Sequence, residues 1–172
     1  MLEKIYKDLV KVIPSGKVAR LDTSGTEERF FKCMDEFSDA DVEMAFHGTS
    51  KKNVGSIVRN GFIGPGDMGY NKQNGNVYGP GVYATSKYSY AAKYGEDNAV
   101  MVLAILPGEQ VAYKLGGCTD KHGRLTADSV RHNHITVLRS SAQVIPVFII
   151  EKSDDEHVPY DELKFMIHPD EP

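Results

Sequence analysis

Residues 42–50 read VEMAFHGTS and residues 78–86 read YGPGVYATS. In each, a short run rich in β-branched and aromatic residues adjoins Gly, Pro, Ser or Thr, the pattern of a strand bounded by turns. Val42 to Phe46 is expected as a strand running into His47-Gly48-Thr49-Ser50, and Gly81 to Thr85 as a second strand. Between them a helix should open near Thr49 or Ser50, turn Val54 and Ile57 inward and end at Gly61. Ser86 should cap a further helix reaching Tyr94. Residues 64–80, GPGDMGYNKQNGNVYGP, hold too much Gly, Asn and Pro for a regular element, so an ordered functional loop is expected there.

Working outward, Leu2, Ile5, Leu9, Val12 and Ile13 recur at helical spacing, and Pro14 with Gly16 stops that helix. Ser24 and Glu27 form a capping-box pair, opening a second helix with Phe30, Phe31, Met34 and Phe37 on one side. Residues 1–40 thus read as a helical N-terminal segment. Toward the other end, Ala99 to Leu106 is a buried strand, followed by Gln110 to Lys114, Ile135 to Leu138 and Gln143 to Ile150. Pro146 implies an edge or a bulge, and residues 115–133 read as polar loop. Strands outnumber helices after residue 80 without regular βαβ alternation. The expected class is therefore α+β with antiparallel sheets, in one domain over residues 1–172 that closes with an acidic segment, 152–172.

The composition fits a soluble domain. The chain has 172 residues, 41% apolar, with 20 Lys plus Arg against 24 Asp plus Glu and a net charge of -4. That length supports a real core, and the balance excludes global disorder. A pI near 5.9 argues against indiscriminate nucleic-acid binding, which needs a concentrated basic surface. The N-terminus carries charges too closely spaced for a secretory signal, and no apolar run reaches membrane-spanning length. Cys33 and Cys118 read as free thiols, so an intracellular protein, cytoplasmic or nuclear, is expected.

The chemistry-bearing residues are Phe46-His47-Gly48-Thr49, Tyr78-Gly79-Pro80-Gly81-Val82-Tyr83 and Ala92-Lys93-Tyr94-Gly95. A glycine beside a strand-end histidine lets main-chain groups approach a planar ligand, because it has no Cβ. Tyr83 and Tyr94, eleven residues apart, could sandwich a flat ring.

In this order and spacing the set resembles the poly(ADP-ribose) polymerase-like ADP-ribosyltransferases, most closely at AFHGTS, IVRNGF and YGPGVYATS. The resemblance covers about Val42 to Ile150 and implies a split antiparallel β-sandwich with flanking helices. It implies NAD as donor substrate, no metal, Gly48 and Thr49 at the nicotinamide end, and Gly48 holding the carboxamide. His47 would bond the adenosine-side ribose, Tyr83 would take the second place of the family's His-Tyr-Glu triad, and Tyr94 would stack on nicotinamide.

Two departures stand out. Where the family has a serine three residues before the stacking tyrosine, this chain has Ala91, leaving Ser89 or a water as substitutes. Aligning the last strand on Ala142-Gln143-Val144 puts Ile135 in the glutamate's place. The implied catalytic set is then His47, Tyr83 and Ile135, a His-Tyr-Ile variant of the kind that transfers single units. The expected activity is mono-ADP-ribosyl transfer to a protein acceptor, with a nucleic-acid acceptor as the alternative and no membrane partner.

Competing readings carry their own residues. A catalytically inactive, PARP-like binding or interaction module would follow from Ala91 and Ile135. An NAD-dependent RNA 2′-phosphotransferase needs phosphate-binding arginines, for which Arg20, Arg29, Arg59 and Arg139 are poor counterparts. A metal site would draw on Cys118, His122, His132 and His134, whose spacing matches no zinc pattern. A Cys-His nucleophile pair would join Cys33 or Cys118 to His47.

Overall fold

A computed structural model of the chain describes residues 1–13, 17–37, 41–70, 77–95, 99–115 and 117–151. In chain order its elements are α1 (Leu2–Val12), β1 (Lys17–Arg20), α2 (Ser24–Glu36), β2 (Glu43–Gly48), α3 (Lys51–Asn60), β3 (Val82–Thr85) and α4 (Tyr88–Ala91). They continue as β4 (Val100–Ile105), β5 (Gln110–Ala112), β6 (Ser129–His132), β7 (Ile135–Leu138), a 3-10 turn (Ser141–Gln143) and β8 (Val144–Glu151). The helix stop at Pro14 and Gly16 and the acidic segment 152–172 lie outside the described residues.

The apolar run VMVLAI becomes β4, buried along its whole length because helices cover both faces of the sheet there. Alternation sends Val100, Val102 and Ala104 to one face, where they pack with Ile5 and Leu9 of α1, Phe30 of α2, Phe46 and Phe148. Met101, Leu103 and Ile105 point the other way, against Phe62, Leu138 and the partly buried Val54, Ile57 and Val58 of α3. Each such large side chain removed from water contributes about 1.5–3 kcal/mol. A third, smaller cluster joins Cys118, Leu125, Val130, Ile135 and Val137 at the far end of the sheet.

Eight strands follow the order β1-β8-β4-β2-β3-β7-β6-β5. All neighbours are antiparallel except β5 and β6, which run parallel. The two halves expected as a split pair are β1-β8-β4-β2 and β3-β7-β6-β5, and they are continuous through one residue pair, Phe46 opposite Thr85. The α+β class, the split antiparallel sheet and the flanking helices therefore stand.

Local expectations needed adjustment where packing overrode pattern. β1 lay unread in the sequence, being four residues whose strand form comes from pairing with β8, Lys17 opposite Glu151 through Arg20 opposite Phe148. β6 lies inside the expected polar loop, pairing with β7 on one side and β5 on the other. The helix expected to reach Tyr94 ends at Ala91, with Lys87 rather than Ser86 at its N-cap and the Thr85 hydroxyl accepting from the Lys87 amide. Thr23, not Ser24, precedes α2, and its hydroxyl donates to Glu27 at 3.1 Å. Pro146 marks a bulge rather than an edge: β8 has neighbours on both sides, and its register with β4 slips between Leu103↔Pro146 and Val102↔Phe148. Proline supplies no N–H to the ladder, so the slip falls beside it.

Candidate active site

Beyond Phe46↔Thr85, β2 stays with β4 through His47↔Met101 and Gly48↔Val100, while β3 stays with β7 through Val82↔Leu138 to Thr85↔Ile135. Two strands that each keep their outer partner must part, and a cavity of about 810 Å³ lies at the parting. That volume is in the range of small-molecule sites. His47, Gly48, Thr49, Tyr83, Tyr94 and Ile135 all line it, so the residues that the resemblance assigns to catalysis and donor binding come to one place.

His47 is half-buried and bridges the opened strands, its Nδ1 donating to the main-chain oxygen of Tyr83 at 2.9 Å. A carbonyl only accepts, so Nδ1 carries the proton and neutral His47 keeps a lone pair on Nε2. Burial pushes the imidazole below its ordinary value, and the bond to Tyr83 works the other way without restoring it. Phe62 meets the ring edge-on at 5.0 Å and 82°.

Gly48 is required by close approach. A Cβ there would lie 1.8 Å from the Ala91 oxygen and 2.9 Å from the Gly95 amide nitrogen. The strand end is thus pressed against the α4 segment, bringing Ala91 and Tyr94 to the same wall. Thr49 is buried, and its hydroxyl accepts from the Asn53 amide at 3.4 Å. Asn53 and Lys52, on the first turn of α3, complete that side.

Tyr83 presents its ring to the cavity but has its hydroxyl engaged by its own turn. The phenol donates to the Gly79 oxygen at 2.7 Å and accepts from the Tyr78 amide at 3.0 Å. Burial raises its pKa, so it remains a donor. Gly79 has φ +105°, a left-handed value that favours glycine, and the residue sits under the Leu125 side chain.

Ile135 is buried beside Tyr83, across from Thr85 on β3 and His132 on β6. Among the described residues lining the cavity, Lys52 is the only charged side chain and no carboxylate occurs. Ala91 is buried on the wall, whereas Ser89 is exposed and off it. Of the two substitutes named for the missing serine, Ser89 is therefore not at the site.

Sequence reading named Tyr78 without giving it a role and missed Tyr90; both line the cavity. Tyr78 stacks on His132 at 4.5 Å and 21°. Tyr90 sits 3.1 Å, hydroxyl to hydroxyl, from Tyr94, a bond that raises its pKa. The four-residue spacing of Tyr90 and Tyr94 was the available signal.

The rival clusters do not assemble. Among the described residues no group of three or more His, Cys, Asp or Glu could hold a metal ion. Arg20, Arg29, Arg59 and Arg139 are absent from the cavity wall, and Arg139 is paired with Asp128. Cys33 belongs to the first core cluster and Cys118 to the third, neither on the wall with His47. No described helix is long and apolar enough to cross a membrane.

The structure thus combines a split, mostly antiparallel sheet with a His-Gly strand end and tyrosines lining the cavity where the two halves part. The family model "Poly(ADP-ribose) polymerase catalytic domain" matches residues 11–165, and the chain belongs to that family. Membership implies an NAD-dependent ADP-ribosyltransferase, with NAD as the donor substrate. A search of curated proteins gives no match.

Proposed function

We propose that this domain transfers single ADP-ribose units from NAD to a protein acceptor that brings its own nucleophile. One observation carries the reading: the cavity wall has no carboxylate among its described residues, and buried Ile135 stands where the resemblance puts the triad's glutamate.

The chain's residues suit the donor in several ways. Close packing around Gly48 leaves a main-chain edge, rather than a side chain, for the carboxamide. Tyr83 and Tyr94 supply ring faces for nicotinamide. His47, uncharged with a free Nε2, accepts from a hydroxyl of the adenosine-side ribose.

Cleavage of the nicotinamide–ribose bond sends its electron pair to nicotinamide and builds positive charge on the sugar, as in glycoside hydrolysis. The acceptor's nucleophile then forms the new bond at C1. With no carboxylate among the described wall residues and His47 Nε2 assigned to the ribose hydroxyl, that nucleophile must be ionised already, which favours a carboxylate of an acidic protein segment. Positioning is then the main catalytic contribution. Elongation requires a protein base to activate a sugar hydroxyl, and Ile135 offers none.

Ala91 favours a second reading, donor binding without transfer, because it removes one side-chain anchor for the carboxamide. Incubation with labelled NAD and candidate acceptors separates the two. Single adducts on protein carboxylates are expected. Long polymer, or no adduct beside measurable NAD binding, overturns the proposal, and the latter outcome supports the second reading.

A further inference from the structure

The ring assigned above to nicotinamide stacking has little to hold it. Tyr94 follows α4, a helix of four residues, and is 61% exposed. Its amide donates to the Ala91 oxygen at 2.9 Å, which fixes the main chain but not the side chain. The side-chain contacts are with Tyr90: ring centroids 5.4 Å apart at 53°, and hydroxyls 3.1 Å apart.

Tyr90 is in turn braced from the neighbouring strand pair. The His134 ring meets it at 4.5 Å and 70°, edge to face. Nε2 of His134 is buried and has no hydrogen-bond partner among the described residues. Such a group calls for an account; what the structure gives the imidazole is the Tyr90 ring to pack against. The same residue's main-chain oxygen accepts from the Ser86 amide at 2.9 Å, tying the β6–β7 turn to the start of the α4 segment. His134 also immediately precedes Ile135, so the chain segment that sets the cavity's third position also braces its stacking tyrosine.

We propose that Tyr90 and His134 are positioning residues for the donor site, acting in series through the Tyr94 ring. This rests on the assignment of Tyr94 to nicotinamide stacking. His134 holds Tyr90 against the cavity wall, and Tyr90 holds Tyr94 by its hydroxyl. Free rotation of Tyr94 would otherwise have to be lost on donor binding, weakening the donor complex more than it slows bond breaking.

The test combines a structural readout with a kinetic one. Tyrosine-labelled protein without ligand is compared by NMR for the natural chain, Tyr90→Phe and His134→Leu, with melting curves recorded for each. Both variants are expected to shift and sharpen the Tyr94 ring signals toward those of a freely rotating ring. In NAD turnover, the donor KM should rise at least threefold with kcat lowered less than twofold. The double variant should be no worse than the worse single one, because the two act along one path. Tyr90→Phe removes a single oxygen, so it carries the test if His134→Leu melts below the assay temperature. Unchanged Tyr94 signals in folded Tyr90→Phe overturn the inference, as does a kcat loss with donor KM unmoved. Altered Tyr94 signals in a protein whose natural form shows no turnover support the bracing and count against the transferase reading alone.

Discussion

Nδ1 of His47 donates to the main-chain oxygen of Tyr83, 2.9 Å away, across the point where β2 and β3 stop pairing. An imidazole thereby spans a gap that a strand ladder would have closed. It satisfies a carbonyl, sets its own tautomer and leaves Nε2 for a ligand. The opening that makes the cavity and the residue that equips it are one feature of the fold.

This arrangement has a pH signature. The unfolded chain takes up the His47 proton near the ordinary value of 6.5, whereas burial in the folded chain delays it to lower pH. Between those points the unfolded state binds more protons, so stability is full above about pH 6.5 and falls as the pH drops below it. Melting curves should fall more steeply below that pH for the natural chain than for His47→Gln. NAD affinity by calorimetry should decline with an inflection below 6.5, and an inflection at or above it would contradict the assignment.

Tyr83→Phe should cost stability as well as donor affinity. The hydroxyl donates to Gly79 and accepts from Tyr78, and its loss strands both main-chain groups. A cost of about 1–2 kcal/mol is expected, read as a drop of roughly 2–8 °C in Tm. Donor KM should rise because the Tyr78 wall loosens. A variant with unchanged Tm would mean the turn is held without the phenol.

Ala91→Ser restores a hydroxyl on the cavity wall, while Ser89→Ala alters an exposed position off it. One added hydrogen bond of about 0.5–1.5 kcal/mol predicts roughly threefold to tenfold tighter binding of a nicotinamide-end analogue in the first variant. Binding should not change in the second. Weakened binding in Ser89→Ala would show that this serine reaches the donor after all.

Ile135→Glu should not convert the protein to chain synthesis at pH 7. The side chain packs in an apolar cluster with Val130 and Val137, where a carboxyl is favoured in its neutral form. Single adducts should persist, and Tm should fall by the equivalent of roughly 2 kcal/mol or more. A polymer ladder on a gel would show the position to be polar enough to ionise a carboxylate.

Much of this was legible in the sequence because it depends on local order. VMVLAI announces a strand buried on both faces, VEMAFHGTS a strand from Val42 to Phe46 that the structure carries on to Gly48, and Ile135 to Leu138 the strand that the structure shows with the same bounds. The family resemblance implied that His47, Gly48, Tyr83, Tyr94 and Ile135 share one site, and all five line one cavity. Less was readable where a strand exists only through its partner. β1 and β6 are four residues each, and long-range pairing rather than their own composition makes them strands. Nothing local but its spacing from Tyr94 marks Tyr90, whose contact with His134 lies across to another strand pair.

The sequence by itself determined the motifs and their order, and it places Ala91 and Ile135 where the resembled family has a serine and a glutamate. Only the tertiary structure decided how the site opens. Pairing is limited to Phe46↔Thr85 because β2 follows β4 and β3 follows β7, and neither allegiance is written in the local residues. From that parting come the His47–Tyr83 bond, the enforced glycine at position 48 and the bracing of Tyr94 by Tyr90 and His134. His47–Tyr83, Gly48–Ala91 and Tyr90–His134 join residues far apart in the chain, at distances that only the packed sheet can set.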